Sequence, residues 1–71
     1  MTALQELLDR MTPLTLANLH NAAQAEFARV AGYGEPEEDR DELDALEELA
    51  EAALVRGYRN MGADFARLLQ A

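Results

Sequence analysis

The chain has 71 residues, no cysteine and a formal net charge of −8 at pH 7. This length accommodates one domain, and the lack of cysteine excludes disulfides and thiolate metal sites. Serine and lysine are also absent, so serine–histidine, cysteine–histidine and Schiff-base lysine catalysis are excluded. Because nucleic acids and anionic membranes carry negative charge, the net charge disfavours both and favours basic proteins as partners.

The overall hydrophobicity is typical of a folded domain. Hydrophobic residues make up 49 % of the chain, which is normal for a globular protein and too high for a disordered acidic tail. The N-terminus has no basic region of the kind that opens a signal peptide. No apolar run approaches the roughly 18 residues that span a bilayer. The sequence therefore predicts a cytoplasmic protein that is complete from its initiator methionine.

The first predicted helix covers about residues 3–11. Thr2 followed by Gln5 matches a capping box, and the apolar residues that follow recur with the spacing of one helical face. Pro13 ends this helix and suits the first position of the next one. The residues predicted to form the apolar face are Leu4, Leu7, Leu8 and Met11.

The second predicted helix covers about residues 13–31. Its main apolar stripe consists of Leu16, Leu19, Ala23, Phe27 and Val30, and its other side carries Leu14, Ala17, Ala25 and Ala28. Apolar residues on two sides predict a helix that is covered from two directions, as the centre of the fold or as a dimer face. Gly32 is predicted to lie just after the helix end, and Gly32-Tyr33-Gly34 to form a turn.

The third helix is predicted to start at Pro36, with Asp39 and Glu42 as an alternative cap. The apolar residues keep one helical phase to the C-terminus, but Gly57 and Gly62 each cost about 1 kcal/mol in a helix interior. We therefore predict helices over about 36–59 and 63–69, with one bent helix as the alternative. The expected architecture is a small all-α bundle of three to four helices in a single domain, residues 1–71. The residues that keep the phase are Leu43, Leu46, Ala50, Ala53, Leu54, Tyr58, Met61, Phe65 and Leu68.

The acidity of the chain is local. Residues 35–51 contain ten acids and one arginine, so this segment carries −9 while the whole chain carries −8. At 100° per residue the acids line up on the side of helix 3 opposite its apolar residues. We call this line the acidic row; it consists of Glu37, Asp41, Asp44, Glu48 and Glu51, and Glu47 flanks it.

Two interpretations of the acidic row remain open from the sequence. The helix dipole favours acids near the N-terminus, which accounts for the segment up to Asp39 but not for Glu48 or Glu51. The rest of the row can be a solvated face, or it can be a binding surface. Like charges four residues apart, as in Asp44 and Glu48, cost a helix about 0.2–0.5 kcal/mol, which favours a binding role.

The sequence supports two functional hypotheses, and neither is enzymatic. In the preferred one, the acidic row and Glu47 dock onto a basic, nucleic-acid-binding protein and block the site that holds phosphates. Nucleic-acid-mimicking phage inhibitors, some anti-CRISPR proteins among them, work by this logic, although no motif links the chain to such a family. The alternative is a structural or adaptor module that forms a homodimer or packs on a larger subunit through apolar helix faces.

No catalytic residue, cofactor or metal site is predicted. His20 lies beside the apolar stripe of helix 2 and is interpreted as a core or interface histidine with one hydrogen bond. Ala17 stands where a ferritin-like Glu-x-x-His motif needs glutamate. The acids from Asp39 to Asp44 do not form a calcium loop, because Leu43 and Asp44 occupy the positions that require Asp or Asn and then Gly.

Overall fold

The computed structural model describes residues 2–33 and 40–70. In chain order these residues form α1 (Ala3–Asp9), α2 (Pro13–Tyr33), α3 (Arg40–Met61), a 3-10 turn (Gly62–Asp64) and α4 (Phe65–Leu69). No strand occurs in this part of the chain, and the predicted small all-α bundle is confirmed. The smallest extent of the molecule is 14 Å between Cα atoms, which corresponds to two helix layers about 8–10 Å apart.

Short polar side chains cap α1, as predicted, and also α2. The Gln5 amide donates to the Thr2 hydroxyl oxygen at 3.1 Å, and the Thr2 amide donates to the Gln5 side-chain oxygen at 3.0 Å, which completes the capping box. The Thr15 amide donates to the Thr12 hydroxyl oxygen at 3.2 Å, so Thr12 caps α2 directly before Pro13. These local signals determine the turn between the two helices.

The predicted apolar face of α1 is only partly used. Leu8 is fully buried and Met11 packs against the same core, whereas Leu4 and Leu7 are 41 % and 54 % exposed. Asp9 accepts a hydrogen bond from the Arg56 side chain at 3.0 Å, which ties the end of α1 to α3. Because α1 has only seven residues and contacts chiefly α3, one edge of its apolar face remains in water.

The core lies where the two long helices meet α1 and α4. Its fully buried members come from all four helices: Leu8, Leu16, Ala17, Ala53 and Phe65. α2 packs against both α3 and α4, which agrees with its predicted central place. On its second apolar side, however, only Ala17 is buried, whereas Leu14, Ala25 and Ala28 are exposed.

The predicted end of α2 is wrong by two residues. Gly32 is helical, and α2 continues to Tyr33. Val30 is buried, so packing of the last turns offsets the roughly 1 kcal/mol that a glycine costs inside a helix. The predicted turn at Gly34, the predicted start of helix 3 at Pro36 and the alternative cap at Asp39 lie outside the described residues.

α3 and α4 are joined by the 3-10 turn and form one bent helix. This is the alternative to two separate helices that the sequence had left open. The bend lies at Gly62, the described residue with a positive φ of 64°. Gly57 has a different role, because it is buried inside α3 against the ring of Phe65. A Cβ atom at position 57 would overlap that ring, so the glycine permits the close approach of α4.

Candidate docking surface

The described part of the acidic row lies on the exposed side of α3. Asp41, Asp44, Glu48 and Glu51 are all exposed, and so is Glu47, which flanks them. Asp41 and Glu51 are ten residues apart, about 15 Å along the helix at a rise of about 1.5 Å per residue. Glu37, the remaining predicted member, lies outside the described residues.

The described carboxylates of the row, Asp41, Asp44, Glu48 and Glu51, form no ion pair with another described residue. The two ion pairs found there join Arg56 to Asp9 and Arg29 to Glu26, and none of these residues belongs to the row. Charged groups that face water without an internal partner retain their capacity for charge-assisted hydrogen bonds to an external arginine or lysine.

The structure shows which acids of α3 lie close enough to its N-terminus to be stabilised by the helix dipole. Asp41 and Glu42 lie in the first turn of α3, where negative charge is favoured by the dipole. The dipole therefore also accounts for Asp41, beyond the limit at Asp39 that was expected from the sequence. Asp44, Glu47, Glu48 and Glu51 lie further along the helix, so their charge has no such local stabilisation.

A groove of about 480 Å³ runs between α2 and α3 beside the acidic row. Its floor is largely apolar, and two carboxylates border it on the α3 side. α2 contributes His20, Gln24 and Phe27, and α3 contributes Leu46, Glu47, Ala50, Glu51 and Leu54. The groove therefore joins an apolar surface to Glu47 and Glu51, which also belong to the predicted docking surface.

His20 lies in the wall of this groove and is 7 % exposed. Its Nδ1 atom lies 2.7 Å from the carbonyl oxygen of Ala50. Because a carbonyl oxygen only accepts, Nδ1 carries a proton and donates it. The structure thus places His20 as interpreted from the sequence, as a buried histidine with one hydrogen bond, and this bond connects α2 to α3.

Sequence reasoning missed the groove and the contacts that shape its surroundings. Among these contacts is the hydrogen bond from the Asn21 side chain to the Leu69 carbonyl at 3.0 Å, which holds the end of α4 on α2. Six of the eight residues that line the groove were recognised from the sequence as members of apolar stripes or of the acidic segment, and His20 was placed beside a stripe, whereas Gln24 was not singled out. The sequence did not specify the register of α2 against α3, which brings Phe27 and Leu46 to the same groove.

The described residues contain neither a cluster of metal-binding side chains nor a helix that could span a membrane. None of their histidine, aspartate and glutamate side chains form a group of three or more that could hold a metal ion. No helix within residues 2–33 and 40–70 combines the length and apolar character required to cross a bilayer. The described surface thus offers an apolar groove and a row of carboxylates.

Comparisons with protein families, with curated proteins and with solved structures found no match to this chain. The interpretation of the surface therefore depends on its own chemistry. Exposed carboxylates at helical spacing attract arginine and lysine, and the adjoining groove can bury apolar side chains.

Proposed function

We propose that this chain is a non-enzymatic protein–protein interaction module that docks the acidic face of α3 onto a basic partner. The observation that supports this proposal is the set of exposed carboxylates beyond the first turn of α3. Asp44, Glu47, Glu48 and Glu51 have neither the helix dipole nor an arginine of the described chain to balance them. A partner that supplies cations relieves their mutual repulsion.

The partner surface that fits best is one that otherwise holds phosphates. Arginine and lysine bind carboxylates and phosphates through the same charge-assisted hydrogen bonds. A row of carboxylates therefore competes with nucleic acid for such a surface and inhibits the nucleic-acid-binding protein that carries it. The chain has no cysteine, which suits the reducing cytoplasm, and we take this as the compartment in which the inhibitor acts.

The test compares two variants with the same change in net charge. The row variant carries Asp44→Asn, Glu48→Gln and Glu51→Gln. Its control carries Glu6→Gln, Glu42→Gln and Asp64→Asn, three exposed acids outside the row. Wild type and both variants are immobilised and exposed to lysate of the source cell, and the bound proteins are eluted with a salt gradient and identified by mass spectrometry.

The proposal expects a basic protein that wild type and control retain and that the row variant does not. With three exposed ion pairs at up to about 1 kcal/mol each, the purified partner should bind the row variant about tenfold more weakly or worse. The same partner should lose its nucleic acid when wild type is added. Equal retention by the row variant and the control would refute a specific role of the row.

A second candidate function is a structural or adaptor module, and the exposure of large apolar residues favours it. Leu4, Leu7 and Leu14 are 41–54 % exposed, which leaves apolar surface for a second copy or a larger subunit. Light scattering on the purified protein tests this candidate. A monomer that also tolerates bulky residues at Ala25 and Ala28 removes support for self-association through α2.

A further inference from the structure

The groove between α2 and α3 has the composition of a helix-binding site. Phe27, Leu46, Ala50 and Leu54 give it an apolar floor and walls, and Glu47 and Glu51 border it on one side only. On the α2 side, the polar lining residues are the buried His20 and the exposed, uncharged Gln24, and no carboxylate lies there. A ligand that fills the groove must therefore present apolar groups to the floor and positive charge to the α3 side.

The fold itself contains a helix that packs against the same pair of helices. α4 contacts both α2 and α3, buries Phe65 completely and places Leu68 and Leu69 against the core. Its last turn is fixed to Asn21, the residue after His20 in the groove wall. Leu54 borders both the core and the groove. The groove and the core that α4 helps to form thus share Leu54, and a helix in the groove would pack between α2 and α3 as α4 does.

The negative charge at the border of the groove favours a basic ligand and argues against a second copy of this chain as the ligand. In a two-fold symmetric dimer the same patch contacts itself, so Glu47 and Glu51 would meet their own equivalents. Like charges opposed across an interface are costly, and each chain already carries a net charge of −8. A helix with lysine or arginine along one side of its apolar stripe has the opposite character.

We propose that the groove receives an amphipathic helix of the basic partner, with its apolar residues on Phe27 and Leu46 and its cations on Glu47 and Glu51. This inference rests on the proposed function, which it extends by naming the structure that the partner presents. Helix-in-groove recognition relies on apolar anchors at i, i+3, i+4 and i+7. The acidic row then acts along the outer flank of that helix.

Three synthetic peptides with a fluorescent label test the proposal. The first has leucines at i, i+3, i+4 and i+7 and lysines along one side of that stripe. The second has the same composition in scrambled order, so it has equal charge but no apolar face. The third keeps the stripe and replaces each lysine by glutamine. Fluorescence anisotropy then measures the affinity of each peptide for the full chain at low and high salt.

Two tryptophan variants locate the binding site. Gln24 is exposed at the groove edge, so Gln24→Trp adds bulk where the peptide would lie. Ala22 is exposed on α2 outside the groove, and Ala22→Trp is the matched control. We expect the first peptide to bind wild type and Ala22→Trp equally, and to bind Gln24→Trp about tenfold more weakly or worse. On binding, the NMR signals of His20 and Phe27 should shift.

The outcomes separate this inference from the proposed function. If the scrambled peptide binds as tightly as the first peptide, or if the first peptide binds Gln24→Trp as tightly as wild type, the groove is not the binding site. Weaker binding of the first peptide to the row variant would in that case still support docking of the acidic face. Equal binding of the glutamine peptide would overturn a basic occupant. A dimer of the free protein that Gln24→Trp dissociates would identify the occupant as a second copy. Unchanged affinity of the lysine peptide for the row variant would refute the proposed function itself.

Discussion

The two ends of the α2–α3 pair differ in packing and in charge. At one end, which we call the packed end, α1 and α4 cover the first half of α2 and the second half of α3. All five fully buried core residues lie there. At the other end, which we call the open end, the buried residues are Ala23, Val30 and Ala50, at 4–6 % exposure, and α3 carries the acidic row.

Because of this difference, the packed end provides most of the stability of the fold, and the open end provides the surface proposed for binding. Burial of large apolar side chains is the main source of folding free energy, and the packed end contains most of it. Four of the six arginines, Arg10, Arg56, Arg59 and Arg67, lie in the sequence of the packed end. Arg29 and Arg40 lie at the open end, where Arg29 pairs with Glu26 and not with the acidic row. The described acids of the row thus form no ion pair within the described residues and are available to a partner.

The largest expected effect comes from the two phenylalanines, one at each end. Phe65→Ala removes a fully buried ring and should lower the free energy of unfolding by about 3–5 kcal/mol. Phe27→Ala truncates a half-buried ring beside the groove, leaves no closed cavity and should cost about 1–2 kcal/mol. Urea denaturation measures both. If Phe65→Ala does not fold, the loss of unfolding free energy is measured on Phe65→Leu instead. Equal losses for the variants at Phe65 and Phe27 would contradict the difference in packing between the two ends.

Gly57→Ala should have the next largest effect. The added methyl group overlaps the ring of Phe65, and overpacking of this kind typically costs about 1–3 kcal/mol. Gly32→Ala is the matched control, because its Cβ atom meets nothing within 4 Å and alanine should stabilise the exposed helix by about 0.4–1 kcal/mol.

A double-mutant cycle shows whether Phe65 causes the loss at Gly57. In a Phe65→Leu background the side chain is smaller, so Gly57→Ala should cost less than in wild type. Urea denaturation of the two single variants and the double variant gives the coupling energy. Additive losses would mean that the close approach of α4 is not the reason for the glycine.

A smaller effect is expected from the polar contact that fixes α4. Asn21→Ala removes the hydrogen bond to the Leu69 carbonyl and should lower the free energy of unfolding by about 0.5–1.5 kcal/mol. Because the contact lies at the tip of α4, hydrogen exchange of the α4 amides should accelerate more than that of the α3 amides. Uniform acceleration would indicate that α4 does not unfold separately.

The predictable features of the fold are those encoded within a few residues of one another. The Thr2–Gln5 capping box and the start of α2 at Pro13 are local, and the sequence identified both. The apolar residues keep their phase through the bend, which lies at Gly62, one of the two glycines that indicated a kink or a break. The packing role of Gly57 was not predictable, because its contact with Phe65 forms only when α4 packs against α3.

The site was predictable to the same extent. Exposure of Asp44 and Glu48 followed from helical periodicity, which requires no tertiary information. The groove required the register between α2 and α3, set by packing of Ala23 and Ala50 and by the bond from His20 to the Ala50 carbonyl. No pattern within either helix specifies that register, so the sequence indicated the charges of the surface and missed its shape.

The smallest expected effect belongs to the row variant, and it tests the separation of stability from binding most directly. Urea denaturation compares the variant Asp44→Asn, Glu48→Gln, Glu51→Gln with wild type at low salt. Because like charges four residues apart cost about 0.2–0.5 kcal/mol, the row variant should be as stable as wild type or slightly more stable, while it loses the basic partner. A loss of more than about 1 kcal/mol, beyond the usual range for surface substitutions, would show that the acidic row supports the fold, which contradicts its assignment to binding.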